Sequence, residues 1–147
     1  MPFANVNGIK LHYEIRGTGP RLLFIHGIGA DLKNPMGIFN APVLNHFTVL
    51  AFDPRGLGES DSPNEPYTIG DMADDAAGLA AAVGWDKYLV FGASMGGMVA
   101  QELALRHPSA VERLVMGVTN AGGENSGPAV IDKLDQMSSL EKLQLSD

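Results

Sequence analysis

The sequence predicts an α/β fold: a mostly parallel sheet of about six strands, opened by an antiparallel hairpin, with helices on both faces. Short apolar runs at residues 21–25, 48–52 and 88–91 show almost no polar alternation, as expected of strands covered on both sides. Stretches after the second and third of these runs carry apolar residues at helical spacing. Asn7-Gly8, near the start, is a hairpin dipeptide because both positions accept positive φ. Strands that alternate with helices need right-handed crossovers, which makes neighbouring strands parallel.

Residues 3–6 and 9–15 are expected to form the hairpin. In its second strand Ile9, Leu11, Tyr13 and Ile15 alternate with Lys10, His12 and Glu14, so one face is wet and His12 reads as a surface residue. Gly17-Thr18-Gly19-Pro20 breaks the chain before the strand at 21–25, which is expected to be central and parallel. That strand ends in His26-Gly27-Ile28-Gly29, a loop suited to close backbone approach. Such a loop can aim an N–H at developing negative charge, and His26 can equally be a hydrogen-bonded imidazole that holds the loop in shape.

Residues 31–47 contain Pro35 and Pro42, which interrupt or start helical segments. The strand at 48–52 leads into Asp53-Pro54-Arg55-Gly56-Leu57-Gly58-Glu59-Ser60, a structured turn in which Asp53 and Arg55 are expected to pair. Thr68 reads as a helix N-cap with Asp71 three residues on. Ile69, Met72, Ala76, Leu79, Ala80 and Val83 form an apolar stripe that Gly84 ends. Residues 111–118 are the sixth strand. A loop rich in Gly, Asn and Ser follows, and then one or two short helices.

The stretch from Lys87 to Pro108 organises the chain. A buried strand runs into Gly92-Ala93-Ser94-Met95-Gly96, and a helix is expected from Met98 until Pro108 stops it. A serine forced into strained φ/ψ between strand and helix needs neighbours without bulk, which Gly92, Gly96 and Gly97 supply. The helix would point its unpaired N–H groups at whatever Ser94 attacks. The pentapeptide alone is also compatible, as the lesser alternative, with an ordinary glycine-rich turn before a helix; the rest of the chain reduces that alternative.

With 147 residues, 45% of them hydrophobic and 18% charged, the composition is that of one globular domain. A formal charge of −7 argues against a nucleic-acid partner. The absence of cysteine excludes disulfides and thiolate metal ligands, and no cofactor or metal site is expected. No run approaches the ~20 apolar residues of a membrane span, and no basic start is followed by an apolar stretch. A cytoplasmic protein with no membrane partner is expected.

Three motifs in this order resemble the α/β-hydrolase fold family: His26-Gly27 after one strand, Asp53-x-Arg55-Gly56-x-Gly58-x-Ser60 after the next, and Gly92-x-Ser94-x-Gly96-Gly97 at the elbow. The resemblance runs from about residue 3 to 118. GASMGGMVAQ followed by RHP is most similar to the esterase, enol-lactonase and cofactor-free haloperoxidase branch. By that resemblance Ser94 is the nucleophile, the backbone N–H groups of Met95 and Ile28 form the oxyanion hole, and the substrate is a small-molecule ester or lactone. Relatives with an aspartate nucleophile, such as epoxide hydrolases, fit poorly because position 94 is serine.

In that family the order along the chain is serine, acid, histidine. The histidines here are His12, His26, His46 and His107. Only His107 follows Ser94, more than two helical turns along the helix. The resemblance therefore implies the amino-terminal part of a hydrolase core over residues 1–118, with 119–147 a loop and the start of a helical lid, and with the triad acid and histidine lacking. His26, or a histidine from a second subunit, could act as a makeshift base. The alternative is an inactive binding or assembly module with a vestigial elbow. Either way the sixth strand is expected to expose an apolar edge, which a homodimer or higher assembly would cover.

Overall fold

The computed structural model describes residues 2–27, 32, 33, 39 and 41–117. Six strands form one sheet: β1 (Phe3–Val6), β2 (Ile9–Arg16), β3 (Arg21–Ile25), β4 (Thr48–Phe52), β5 (Tyr88–Ala93) and β6 (Val111–Gly117). Their order is β1-β2-β4-β3-β5-β6. The hairpin turns at Asn7 and Gly8, with φ of 50° and 82°, and pairs Val6 with Ile9. β2 runs antiparallel to β4, whereas β4, β3, β5 and β6 are mutually parallel. The expected mixed sheet with an antiparallel first edge is therefore present.

Two helices, α1 (Ile69–Ala82) and α2 (Met95–Arg106), supply the crossovers either side of β5. Thr68 caps α1 as expected and does so in a reciprocal box: its Oγ1 accepts from Asp71 N–H at 3.1 Å, and its own N–H donates to Asp71 at 2.8 Å. Those two bonds satisfy donors that a helix start otherwise leaves open. The same bonds hold the Asp71 carboxyl below its usual range, the backbone donor of Thr68 being the largest cause.

Both described helices lie on one face of the sheet. There Leu23, Ile25, Leu50, Phe52 and Val90 meet Met72, Ala76, Leu79, Val99, Ala100 and Leu103. On the opposite face Leu22, Phe24, Val49 and Ala51 form a second, smaller core with Leu32, Phe39 and Phe47 packed against them. Helical segments expected elsewhere in 31–47 and after 118 lie outside the described residues, apart from a short 3-10 turn at Pro42–Asn45.

Two boundaries differ from expectation. β5 extends to Gly92 and Ala93, which pair with Met116 and Gly117 of β6. α2 begins at Met95 and not Met98. Gly96-Gly97 reads as a turn, but here the pair opens the helix because only glycine lets this turn pass so close to β3. Val118, the last residue of the predicted sixth strand, is not among those described.

Candidate active site

β4 and β5 flank β3, so the chain leaving β3 and the chain leaving β5 diverge from adjacent strand ends. Such a point leaves a crevice at the carboxyl ends of parallel strands. Register places it: Ile25 is level with Phe52 on one side and Gly92 on the other. His26, Asp53 and Ala93 therefore follow at one rim, with Ser94 next in the chain. That is the rim expected from the sequence.

Ser94 has φ 57° and ψ −122°. Among the described residues it and Asn7 are the non-glycine positions with positive φ. Holding a serine there costs ~1–3 kcal/mol, so the surroundings must impose it. Its N–H donates to Gly117 O at 2.9 Å, fixing the elbow to β6, and its carbonyl accepts from Gly97 N at 2.9 Å inside the first turn of α2. The Ser94 hydroxyl does not cap the helix, and the residue is exposed. It is presented outward at a helix start.

Two glycines make that presentation possible. A Cβ on Gly96 would overlap the Ile25 carbonyl and lie 2.7 Å from that of His26, so α2 could not approach β3 as it does. A Cβ on Gly27 would lie 2.8 Å from Ser94 Cβ and 3.3 Å from Ser94 Oγ. The chain leaving β3 thus passes directly against the serine. Met95 opens α2, so its N–H belongs to the turn that has no intrahelical acceptor. Ile28, the other expected oxyanion donor, lies outside the described residues.

The four histidines separate clearly. His26 follows β3 beside the elbow, is 2% exposed, and stands edge-on to Phe24 with ring centroids 5.3 Å apart. His46 precedes β4 and lies at the opposite end of the parallel strands, roughly 16 Å away for a five-residue strand. His107 caps the far end of the 12-residue α2, about 18 Å along the axis, and its Nε2 bonds Asp74 at 3.0 Å. His12 is on β2, three strands from β5, roughly 14 Å by strand spacing. Of the four, His26 is the one on the strand next to Ser94; His12 stands level with Asp53, farther along the sheet.

His12 is not the surface residue that alternation suggests: it is completely buried. The turn after β4 folds back over that face of β2. Asp53 N–H donates to His12 O, His12 N–H donates to Ser60 Oγ at 2.8 Å, and Asp61 N–H donates to Lys10 O. The expected Asp53–Arg55 pair is also replaced. Asp53 reaches back to His12, its Oδ2 lying 2.7 Å from His12 Nδ1. Arg55 reaches forward to α1 and grips Asp75 with two bonds of 2.6 and 2.8 Å. Asp75 is 1% exposed, and its hydrogen bond is the largest cause that raises the Arg55 pKa. Pro54 separates two side chains that serve opposite sides of the turn. Sequence reading missed the His12–Asp53 contact; the available signal was a turn with aspartate and serine following a strand that must pair beside β2.

A cavity of about 710 Å³ lies along α1, lined by Asp71, Asp74, Asp75, Arg55 and His107 among others. Its acids are already bonded, to Thr68, to Arg106 and His107, and to Arg55 respectively. A smaller space of about 160 Å³ does reach the elbow, between Met95, Met72, Leu57, Tyr67 and Arg55. No described helix is long and apolar enough to cross a membrane.

The α/β hydrolase fold model matches residues 20–140. An uncharacterised protein of Mycobacterium tuberculosis is 32% identical over 134 residues, which cover 91% of this chain and 38% of that one. The soluble epoxide hydrolase of Corynebacterium sp. is 35% identical over 124 residues, 81% of this chain and 43% of that one. The enol-lactonase of Burkholderia xenovorans LB400 superposes with a TM-score of 0.74 at 33% identity, covering 91% of this chain and 54% of that structure. The chain spans about two fifths of the length of these curated relatives. With that family's model matching most of the sequence, this chain belongs to the α/β hydrolase fold family.

Proposed function

We propose that Ser94 is the nucleophile of a hydrolase that cleaves a small carboxylic ester or lactone through an acyl-serine intermediate. The observation that carries this reading is the backbone of Ser94, held at positive φ and exposed at the start of α2. Strain of that kind persists only where the surroundings over-determine it, and it clusters at reactive positions. The likeness to an enol-lactonase supports a carbonyl substrate. The epoxide hydrolase likeness is weighed against it by the serine at position 94 and by the helix-start N–H groups, which suit a carbonyl oxyanion.

In this reading Ser94 Oγ attacks the carbonyl carbon and its proton passes to a base. The carbonyl oxygen becomes an oxyanion stabilised by the N–H of Met95 and of Ile28. Collapse expels the alcohol, which takes up a proton, and leaves the acyl group on Ser94. Water then attacks that ester, releasing the acid and restoring the serine hydroxyl. Of the four histidines only His107 follows Ser94 in the sequence, and it stands at the far end of α2. His26 is the residue at the rim that shapes the loop or serves as a substitute base. A second copy over the outer edge of β6, which among the described residues has β5 as its one neighbour and exposes Val115, belongs to the same proposal.

Hydrolysis of a short-chain p-nitrophenyl ester by the chain and by Ser94→Ala and His26→Ala variants tests it. Turnover lost in Ser94→Ala supports the reading, and loss in His26→Ala assigns the base. Identical rates for wild type and Ser94→Ala favour a binding or assembly module instead.

A further inference from the structure

We propose that the space of about 160 Å³ between Met95, Met72, Leu57, Tyr67 and Arg55 is the subsite for one neutral, apolar group of the ester, the size of a phenyl ring. Its part in the reaction rests on Ser94 being the nucleophile; its fitness for an apolar group does not.

Position ties this space to the elbow. Met95 follows Ser94 directly, their Cα atoms ~3.8 Å apart, and it is the residue by which α2 lines the space. A group seated against the Met95 side chain is therefore held one residue from the serine. Met72, on α1, is 4% exposed and belongs to the main core, and Met95 packs on that same core. Both methionines thus come from elements that the sheet already fixes.

The remaining walls are set before any ligand arrives. Two bonds, of 2.6 and 2.8 Å, clamp Arg55 to the buried Asp75, so its charge is paired and its place fixed. The guanidinium stands 5.5 Å from the centre of the Tyr67 ring, and the Tyr67 hydroxyl donates to the Arg55 carbonyl at 3.3 Å. A side chain at Gly56, where φ is 82°, would overlap that hydroxyl. Glycine at position 56 is what lets Tyr67 lie over the turn after β4. Tyr67 is 39% exposed, which puts it at the solvent side, and Leu57 is half-buried. Walls fixed in advance cost little ordering on binding. The two methionines, unbranched and polarizable, adapt to the shape of what enters.

Volume and lining name the ligand class. An apolar cavity of ~150 Å³ holds one benzene, so this space takes a phenyl ring or an alkyl group of similar bulk. A carboxylate entering it would find the Arg55 charge already paired with Asp75 and would lose its hydration against methionine, leucine and tyrosine. An ester can carry the apolar group on its acyl side or on its alcohol side, and the same walls suit both.

The test adds toluene to the full chain and follows the methionine ε-methyl NMR signals, then the acylation of Ser94. Expected is saturable binding that shifts Met72 and Met95 but not Met98 and Met116, which stand outside the lining. The same shifts are expected in Ser94→Ala and in Tyr67→Phe, which keeps the wall. In Tyr67→Ala, which opens it, binding should weaken by about tenfold. Leu57→Phe, which fills the space, takes its place if that variant does not fold. Acylation by p-nitrophenyl acetate and by p-nitrophenyl phenylacetate separates the two sides of the ester. Toluene that competes with the phenylacetate alone assigns the acyl side, and toluene that competes with both assigns the leaving group. The proposal is overturned if toluene leaves Met72 and Met95 unshifted, shifts all four methionines alike, or binds there and competes with neither ester. Toluene bound at Met72 and Met95 in a wild-type chain that neither ester acylates at Ser94 removes the nucleophile reading and leaves the apolar site standing. Acylation of Ser94 with no toluene bound does the reverse.

Discussion

Gly27 passes so close to Ser94 that a Cβ on it would lie 2.8 Å from the serine's own Cβ. The two residues come from neighbouring parallel strands, β3 and β5, and each limits where the other can be. This contact is what converts a strained turn into a site with a wall. Gly27→Ala is therefore expected to push the serine or the loop aside. A misplacement of about 1 Å at a reacting group can cost roughly 100-fold in rate. If Ser94 is the nucleophile, its acetylation should fall by about tenfold to 100-fold, and thermal unfolding should shift downward too, because Gly27 is buried and the added methyl would also lie 3.1 Å from the Ala93 carbonyl.

Arg55 and Asp75 form the buried ion pair that ties the turn after β4 to α1. Removing Arg55 alone leaves a carboxylate at 1% exposure beside Asn7, whose amide lies 3.3 Å away. Breaking one side of such a pair costs about 3–5 kcal/mol. Urea unfolding of Arg55→Ala should show a loss of that order. The double variant Arg55→Ala/Asp75→Ala should recover a substantial part of it, because the uncompensated charge is gone.

The capping box of α1 makes a pH-dependent contribution with a definite sign. Asp71 titrates below its ordinary value when folded, so it stabilises the folded state above the ordinary aspartate range. That contribution is lost as pH falls through the folded value. Thr68→Ala removes the acceptor for the Asp71 N–H and should cost ~1 kcal/mol near neutrality. Stability curves of wild type and Asp71→Asn measured from pH 7 downward should converge in acid, where the wild-type carboxyl is neutral too. Parallel curves down to the acid limit would contradict this assignment.

β6 has β5 as its one neighbour among the described residues, and Val115 is exposed on it. If a second copy covers this strand, sedimentation at micromolar concentration gives a dimer or larger species, and Val115→Lys shifts it toward monomer. A monodisperse wild-type monomer counts against it.

Much of this was legible in the sequence because it was local. The hairpin at Asn7-Gly8, the capping of α1 and the elbow at Ser94 are each set by residues within one turn of each other. What escaped was set by long-range packing. His12 alternates with apolar neighbours as a wet-face residue does, and the return of the 53–61 turn along β2 together with the Phe3 ring encloses it. Arg55 is two residues from Asp53, yet its partner is Asp75, a helix away. The early start of α2 was hidden by Gly96-Gly97, where the demand for close passage by Ile25 overrides low helix propensity.

The most direct test of Ser94 as nucleophile is mass spectrometry of the intact chain after brief exposure to p-nitrophenyl acetate, followed by peptide mapping. Expected is one acetyl group per chain, located on Ser94 and missing from Ser94→Ala. If no histidine assists the water step, that step is the slower one and the adduct accumulates before it decays. Acetylation confined to lysines and the amino terminus, and identical in wild type and Ser94→Ala, would contradict it.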